Sequence, residues 1–252
     1  MFKKGILFIL VLAISTFFVF SGCSKDKETG KKLTIATDAT WPPMEFVDKE
    51  KNIVGFDIDM MKAIADAAGF EVEFKNTAWD GIFAGLATDK YDAVISSVTI
   101  TEDRQKTMDF SAPYVNAGQV LVIKKDLKDM DKLEQFTGKS VGAQIGTTGA
   151  IEIAKNKAIT LKSYDEIGLA IEDLANGRID AVVCDSPIAA DFALQNPQYK
   201  DVLKIVGEPF TTEEYGIAVN KGNKEVLDLI NDGLSKVMKK GTNKELEKKW
   251  LK

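Results

Sequence analysis

The chain has 252 residues, of which 45% are hydrophobic and 28% charged, a composition typical of a globular protein with room for two domains. Its net charge of −5 argues against nucleic acid as a partner, because nucleic-acid binding needs a basic face. The absence of histidine excludes histidine-dependent catalytic pairs and histidine-ligated metal sites. Two cysteines, Cys23 and Cys184, are too few for a cysteine-rich zinc site. We therefore expect no metal and no cofactor.

The N-terminus is typical of a secretory signal. Two lysines precede an apolar run over residues 5–20, which is shorter than the ~20 residues of a membrane-spanning helix. The run ends in Phe-Ser-Gly-Cys at residues 20–23. Small residues before a cysteine resemble the lipobox of bacterial lipoproteins, although that pattern usually has leucine in place of the phenylalanine. The resemblance implies a signal peptide at residues 1–22, acylation of Cys23 and a polar tether at 23–32; an ordinary cleaved signal is the alternative.

From residue 33 onward, short β-type runs alternate with helical patterns. The patterns predict strands at residues 33–37, 72–74, 92–96, 120–123, 140–143 and 179–183, and a further apolar run at 215–219. They predict helices at residues 57–68, 79–88, 149–156, 165–175 and 187–195, followed by two helices separated at Gly241. This alternation is typical of βαβ units and a largely parallel sheet in an α/β fold.

Two segments of similar sequence, residues 91–95 and 179–183, suggest two similar lobes. In open α/β sheets, ligands bind beyond the carboxyl ends of the strands. The loops at residues 96–99 and 184–186 occupy those ends. They bring Ser96, Ser97, Thr99 and Asp185 into consideration as candidate ligand-binding residues.

Arg104 and Asp185 have complementary charges that suit the two ends of a zwitterionic amino acid. The planar guanidinium of arginine matches a carboxylate, and aspartate can accept from an ammonium group. Alternatives are a solvated helix position for Arg104 and a helix N-cap for Asp185. Thr147 and Thr148 lie between two glycines before a predicted helix, where free N–H groups could bind a carboxylate or form a simple turn.

Aromatic and acidic residues could contact the ligand side chain. Trp41 and Trp79 could sandwich an aliphatic or guanidinium group, although tryptophan is more often a core residue. Asp38 lies just after the first strand, where capping a turn is the alternative.

As an ordered set, the motifs of this chain resemble the polar amino acid family of bacterial solute-binding proteins (family 3), including arginine- and glutamine-binding lipoproteins. The likeness covers residues 33–251. The matching segments are Thr37–Asp38 with Pro43 and Glu45–Phe46, Gly55–Asp59, Thr99–Arg104, Asp109–Ser111 with Pro113–Tyr114, Tyr215–Ala218, Gly241–Thr242 and Lys248–Trp250.

The resemblance implies an α/β fold of the type II periplasmic-binding-protein kind, with two lobes that are each a mainly parallel sheet flanked by helices. Lobe 1 would comprise residues 33–117 and 216–252, and lobe 2 residues 118–215. Two crossover strands, near residues 115–119 and 213–216, would form a hinge about which the lobes close on the ligand.

The resemblance also implies residue roles. Arg104 would bind the α-carboxylate, assisted by the backbone N–H groups of Thr99 and Thr148, and Asp185, Ser97 and Thr99 would hold the α-amino group. The complete expected set of ligand-binding residues is Asp38, Trp41, Trp79, Ser96, Ser97, Thr99, Arg104, Gln144, Thr147, Thr148 and Asp185. Within this set the tryptophans would stack on the ligand side chain, and Asp38 and Gln144 would face its polar end.

The expected function is that of a monomeric substrate-binding component that delivers a free amino acid to the permease subunits of an ABC transporter. It would be held by its lipid on the extracytoplasmic face of a bacterial membrane, or lie in the periplasm. Asp38 and the aromatic faces favour arginine as ligand. Glutamine is the main competitor, although relatives that look like glutamine binders tend to have lysine where this chain has Gln144.

Two other functions are compatible with the same fold. A dehydratase of cyclic carboxylic acids would share the carboxylate-binding arginine, but it would not need Asp185 or a lipid anchor. A sensory receptor is disfavoured because the sequence ends at Lys252 with no transmembrane or kinase segment.

Overall fold

The computed structural model describes residues 30–251. Its strands are β1 Lys32–Thr37, β2 Thr40–Trp41, β3 Glu45–Val47, β4 Ile53–Val54, β5 Glu71–Asn76, β6 Ala93–Val94, β7 Met108–Phe110, β8 Val115–Ala117, β9 Gln119–Lys124, β10 Ser140–Gln144, β11 Thr160–Tyr164, β12 Ala181–Asp185, β13 Leu203–Val206, β14 Glu213–Tyr215 and β15 Ala218–Asn220. Its α-helices are α1 Phe56–Ala68, α2 Trp79–Ala87, α3 Glu102–Gln105, α4 Thr148–Lys155, α5 Ile167–Ala175, α6 Ser186–Ala190, α7 Lys224–Lys240 and α8 Thr242–Trp250. The signal peptide, Cys23 and most of the expected tether lie outside the described residues.

Two five-stranded sheets with the same layout form the centres of two lobes. The first has the strand order β5-β1-β6-β15-β7 and the second the order β11-β10-β12-β9-β13. In each sheet the fourth strand, β15 or β9, runs antiparallel to its neighbours, and the other four run in one direction. The prediction of a two-lobed α/β fold with mainly parallel sheets is therefore confirmed. Below, lobe 1 is the part around the first sheet and lobe 2 the part around the second.

A two-stranded antiparallel ribbon connects the lobes. Strand β8 follows β7 of the first sheet and precedes β9 of the second, whereas β14 returns the chain to β15. The two strands pair from Glu213 with Ala117 to Tyr215 with Val115. Both ends of the described chain thus contribute to lobe 1.

The similar segments at residues 91–95 and 179–183 occupy equivalent positions in the two sheets. Each leads into the central strand of its sheet, β6 or β12. Asp92 Oδ2 accepts a hydrogen bond from the backbone N–H of Thr34 on β1 at 2.7 Å. Asp180 Oδ2 accepts one from the N–H of Ser140 on β10 at 2.8 Å. The sequence similarity therefore reflects the same local bonding in both lobes.

The structure also differs from the predicted elements in detail. The strand expected at residues 92–96 is limited to β6, because the chain leaves the sheet and turns through Ser97, whose φ of 49° is left-handed. The helix expected at residues 187–195 is divided into α6 and a π-helical turn at Asp191–Gln195. Short strands such as β2 to β4 were missed because two or three residues are too few to show alternation.

The C-terminal helices complete lobe 1. Helix α7 packs on α1 so closely that a Cβ at Gly233 would lie 2.4 Å from the carbonyl oxygen of Ile64. Trp250 on α8 donates from its Nε1 to Asp59 of α1 at 2.8 Å. In the part of the chain that the structure describes, none of the helices combines the length and apolar character of a membrane span.

Candidate functional site

A cavity between the two lobes encloses about 310 Å³ of empty space and is open in part to solvent. Twelve residues line the cavity, eight from lobe 1 and four from lobe 2. All eleven expected ligand-binding residues are among them. The twelfth lining residue is Glu45. Glu45 belongs to one of the quoted family motifs but was not among the expected ligand-binding residues.

Arg104 is held in a fixed position at one end of the cavity. Its Nη1 donates to the carbonyl oxygen of Thr99 at 2.8 Å, and its Nη2 donates across the cleft to that of Gly146 at 3.4 Å. The guanidinium carbon lies 5.3 Å from the ring centre of Trp79 and 5.2 Å from that of Phe83. With these contacts, the Arg104 side chain is not the solvated helix residue that the alternative interpretation expected. These hydrogen bonds and ring contacts hold the plane of the guanidinium group in one orientation.

Asp185 lies near Arg104 and is buried. It occupies the N-cap position of α6, but its side chain makes no cap hydrogen bond. Instead, Oδ1 accepts from Nε2 of Gln119, the first residue of β9. Burial raises the pKa of Asp185 to about 8, and the negative charge of Glu213 contributes to the rise, whereas Arg104 opposes it. A cationic group of a ligand beside Asp185 would lower this pKa again and stabilise the ionised carboxylate.

Glu213 on β14 is a buried carboxylate that sequence reasoning missed. Its Oε2 accepts from Thr99 Oγ1 at 2.7 Å and from Thr148 Oγ1 at 2.9 Å. Its Oε1 accepts from Thr211 Oγ1 at 2.9 Å. Two of the expected ligand-binding residues, one from each lobe, are thus bound to a residue of the connecting ribbon.

The opposite end of the cavity has a hydrogen bond between the lobes. Asp38 Oδ2 accepts from Gln144 Nε2 at 2.9 Å, and its Oδ1 accepts from Thr40 Oγ1 at 2.9 Å. Gln144 also donates to the carbonyl oxygen of Asp165 at 2.9 Å. Burial raises the pKa of Asp38, and the hydrogen bonds from Thr40 and Gln144 oppose this effect. Asp38 and Gln144 therefore share one subsite, as expected, but they also bind each other.

Glu45 and Asp57 form a buried carboxyl pair beside Asp38. Glu45 Oε1 accepts from Ser96 Oγ at 2.9 Å, while its Oε2 has no donor among the described residues. Asp57 Oδ2 accepts from the N–H of Ser97 at 2.7 Å. Burial is the main effect that raises the pKa of Glu45 well above its usual range, and the negative charge of Asp57 adds to it. Burial also raises the pKa of Asp57, to about 6. The pair therefore favours binding a proton or another cation.

The serines after β6 form part of the cavity wall. Ser96 Oγ accepts from the N–H of Asp38 at 3.0 Å in addition to its bond to Glu45. The left-handed φ of Ser97 aims its N–H at Asp57. Non-glycine residues in this region of φ are uncommon and cluster at functional sites. Thr147 caps α4, because its Oγ1 accepts from the N–H of Ala150 at 3.3 Å.

The model of the bacterial extracellular solute-binding proteins, family 3, matches residues 33–252. The chain belongs to this family. The resemblance inferred from the ordered motifs is thereby confirmed.

Family 3 binding proteins with several named ligands are similar to this one. A protein of Neisseria gonorrhoeae described as a probable histidine-binding protein is 36% identical over 88% of this chain and 84% of its own length. The structure of an ancestral arginine-binding protein bound to glutamine is 45% identical, with a TM-score of 0.82 over 87% of this chain and 97% of that one. The ancestral amino acid-binding protein AncCDT-1, described as a precursor of cyclohexadienyl dehydratase, is 38% identical, with a TM-score of 0.81 over 88% of this chain and 96% of that one.

In this family 3 protein, several residues that support the cavity carried little signal in the sequence. They are Gln119, Glu213 and Phe83. Asp57 and Tyr114 lie in quoted family motifs, but no role in supporting the cavity was expected of them. Gln119 opens an otherwise apolar strand, and Glu213 precedes a quoted family motif, so a search for polar residues beside such segments could have found these two. Their partners are distant in the chain, and that is why spacing alone did not reveal them.

The raised pKa of Asp185 predicts that the stability of the ligand-free protein depends on pH. The pKa of this carboxyl rises from an ordinary value of 3.8 to about 8 on folding, so the folded protein binds the proton more strongly between those values. The free energy of unfolding should fall as pH rises through this window, by up to about 1.4 kcal/mol per pH unit. Urea unfolding at about pH 5 and about pH 8 should show a shallower dependence for Asp185→Asn than for wild type. The exposed Asp201→Asn is the control, and equal dependence in all three proteins would contradict the assignment.

Proposed function

We propose that this protein is the substrate-binding component of an amino acid ABC transporter and that the cavity binds one free amino acid. The observation that carries the proposal is that Arg104 and Asp185, which have opposite charges, both line one cavity between the lobes and lie close enough for each to affect the pKa of the other. Arg104 and the N–H groups of Thr99 and Thr148 would hold the α-carboxylate. Asp185, with Ser97 and Thr99, would hold the α-ammonium group. Membership of the family supports transport of amino acids as the biological role.

Closure of the lobes is part of this proposal. We place the lobe limits at residues 33–117 with 216–252 and at 118–215, with the ribbon of β8 and β14 as the hinge. The hydrogen bonds from Gln144 to Asp38 and from Arg104 to Gly146 cross the cleft. A ligand bound by residues of both lobes would favour the closed state, because it gains contacts there that are absent when the lobes separate.

The ligand of this proposal is a basic amino acid, with arginine first. The far end of the cavity has the carboxyl groups of Asp38 and Glu45, and Glu45 Oε2 has no donor among the described residues. Among residues 30–251, Arg104 is the only cationic side chain that lines the cavity. An acidic ligand side chain would therefore lose its hydration without gaining a charge partner. A guanidinium would meet carboxylates and the faces of Trp41 and Trp79.

Glutamine is the second candidate ligand. A similar solved structure, described as an ancestral arginine-binding protein bound to glutamine, supports this alternative. In this chain the amide of Gln144 already donates to Asp38, which indicates that a carboxamide donor suits that carboxylate. Arginine would add a charge pair with Asp38 that glutamine cannot form, and for this reason arginine is preferred.

Isothermal titration with arginine, lysine, histidine and glutamine tests the ligand. We expect arginine to bind most tightly, because it alone combines a permanent charge with a planar group that can stack on tryptophan. The protein must be unfolded and refolded before titration, so that any amino acid carried through purification is removed. Tight binding of glutamine with no heat from arginine would reverse the order, and no heat from any amino acid would reject the proposed function.

A dehydratase remains the second candidate function, because the precursor of such an enzyme is similar in structure. Arg104 would serve either function by binding a carboxylate. The two carboxylates Asp185 and Glu213 favour a ligand with an ammonium group. Prephenate has no such group, so this observation disfavours prephenate as a substrate. Incubation with prephenate and with arogenate decides the matter, and formation of product from either would favour the enzyme.

The proposal includes export and anchoring through Cys23, which lies outside the described residues. Removal of residues 1–22 and acylation would leave the protein on the extracytoplasmic face of the membrane, beside the permease subunits. Cys23→Ala is expected to move most of the protein from the membrane fraction to the soluble fraction, since the lipid supplies the attachment. Cys184→Ala, which leaves the N-terminal cysteine intact, is the control. An unmodified Cys23 in the mass spectrum of the mature protein would contradict acylation.

A further inference from the structure

The connecting ribbon has a buried carboxylate that contacts both lobes. Glu213 on β14 is 7% exposed. Its Oε2 accepts from the hydroxyl of Thr99, which follows β6 in lobe 1, and from that of Thr148, which begins α4 in lobe 2. We call this arrangement the Glu213 bridge. Because both threonines line the cavity, the bridge lies directly behind its wall.

The bridge also places a second carboxylate beside Asp185. After burial, the charge of Glu213 is the largest effect that raises the pKa of Asp185. Burial lowers the pKa of Arg104, and the charges of both carboxylates oppose that effect. This end of the closed cavity therefore combines two carboxylates with one guanidinium. Burial of an unpaired charge is unfavourable, so a cation that enters the cavity here stabilises the closed arrangement.

We propose that Glu213 couples closure of the lobes to the ammonium group of the ligand, acting as a positioning residue through Thr99 and Thr148. The inference rests on the proposed amino acid binding. When the ammonium group offsets the charge beside Asp185, both hydroxyls remain bound to Glu213 and hold the lobes together. With a ligand that has no ammonium group, Asp185 stays protonated beside Glu213, so the closed state gains no ion pair there and is shorter-lived. The bridge thus selects α-amino acids over their des-amino analogues and slows their release.

Substitution of two adjacent glutamates tests the bridge. Glu213→Gln keeps the size of the side chain and an acceptor oxygen but removes the charge. Glu214→Gln is the matched control, because Glu214 is the next residue on the same strand and its side chain is exposed. The measurements are the dissociation rate of the amino acid that binds best and the affinity of its des-amino analogue.

The two variants should behave differently. Hydrogen bonds to an ionised acceptor are roughly twice as strong as neutral ones, so Glu213→Gln should release the amino acid about tenfold faster or more. The preference for the amino acid over the des-amino analogue should fall by about tenfold, because the ammonium group is attracted less strongly once the charge of Glu213 is removed. A purely structural role would not change that preference. Glu214→Gln should leave both quantities at their wild-type values.

The outcomes separate this inference from the proposed function. If the wild-type protein binds no amino acid, the function and the inference both fail. If wild type binds but Glu213→Gln keeps the wild-type dissociation rate and preference, the inference fails and the function stands. Circular dichroism identifies a Glu213 variant that does not fold. In that case Thr148→Val, which removes one hydroxyl of the bridge but keeps the backbone N–H, should release ligand faster, and an unchanged rate overturns the inference.

Discussion

Replacing Arg104 by alanine is expected to weaken amino acid binding by about one to three orders of magnitude. Loss of one partner from a buried charge pair costs about 2–5 kcal/mol, and each tenfold in affinity corresponds to about 1.4 kcal/mol. The substitution also removes the bond to the carbonyl oxygen of Gly146, which links the lobes. Calorimetric titration of the variant with the best wild-type ligand measures the loss.

Two further variants define what Arg104 contributes. Arg104→Lys keeps the charge but loses the planar fork and its stacking on Trp79 and Phe83, so we expect a weaker affinity than in wild type. Arg178→Ala is the matched control, because Arg178 forms an exposed ion pair with Asp173 away from the cavity. Wild-type affinity in Arg104→Ala, or an equal loss in Arg178→Ala, would rule out the assigned role.

Replacing Asp38 by asparagine is expected to separate cationic ligands from glutamine. Arginine should lose about one to three orders of magnitude in affinity, since the buried partner of its guanidinium is neutralised. Glutamine should lose much less, because an amide oxygen can still accept a hydrogen bond from the ligand amide. Titration of the same variant with both ligands measures the difference.

The neighbouring carboxyl provides a second test of the same subsite. Glu45→Gln should weaken arginine less than Asp38→Asn does, because the pKa of Glu45 lies well above its usual range and its carboxyl group shares a hydrogen bond with Asp57. Asp66→Asn, a change at an exposed position of α1, is the control for loss of one negative charge. An equal effect of Asp38→Asn on arginine and glutamine would contradict a charge partner at this end.

Much of the architecture was predictable because it depends on local pattern. Alternating β and helical segments indicated an α/β fold, and the sequence similarity between residues 91–95 and 179–183 indicated two lobes. The family resemblance carried by the order of the motifs named eleven residues that the structure places around one cavity, and their binding of a ligand stays a prediction. The alternation and the similar segments depend on neighbouring residues, and the order of the motifs is given by the sequence itself, so a single sequence was sufficient.

The remaining features depend on contacts between distant residues. The bond from Gln144 to Asp38 joins positions 106 residues apart, and the bond from Thr99 to Glu213 joins positions 114 apart. The left-handed conformation of Ser97 is likewise not indicated by its residue type. Such features depend on how the lobes meet, and spacing along the chain contains no information about that.

The position of β15 has a consequence for how the protein folds. This strand lies between β6 and β7 in the first sheet, although more than a hundred residues separate Phe110 from Ala218 in the sequence. Lobe 1 therefore cannot complete its sheet until nearly the whole chain has been synthesised, whereas all five strands of lobe 2 come from one continuous segment. Loop closure over such a distance is slow relative to local pairing. We expect lobe 2 to become protected from hydrogen exchange first during refolding, and lobe 1 to follow when the C-terminal segment inserts.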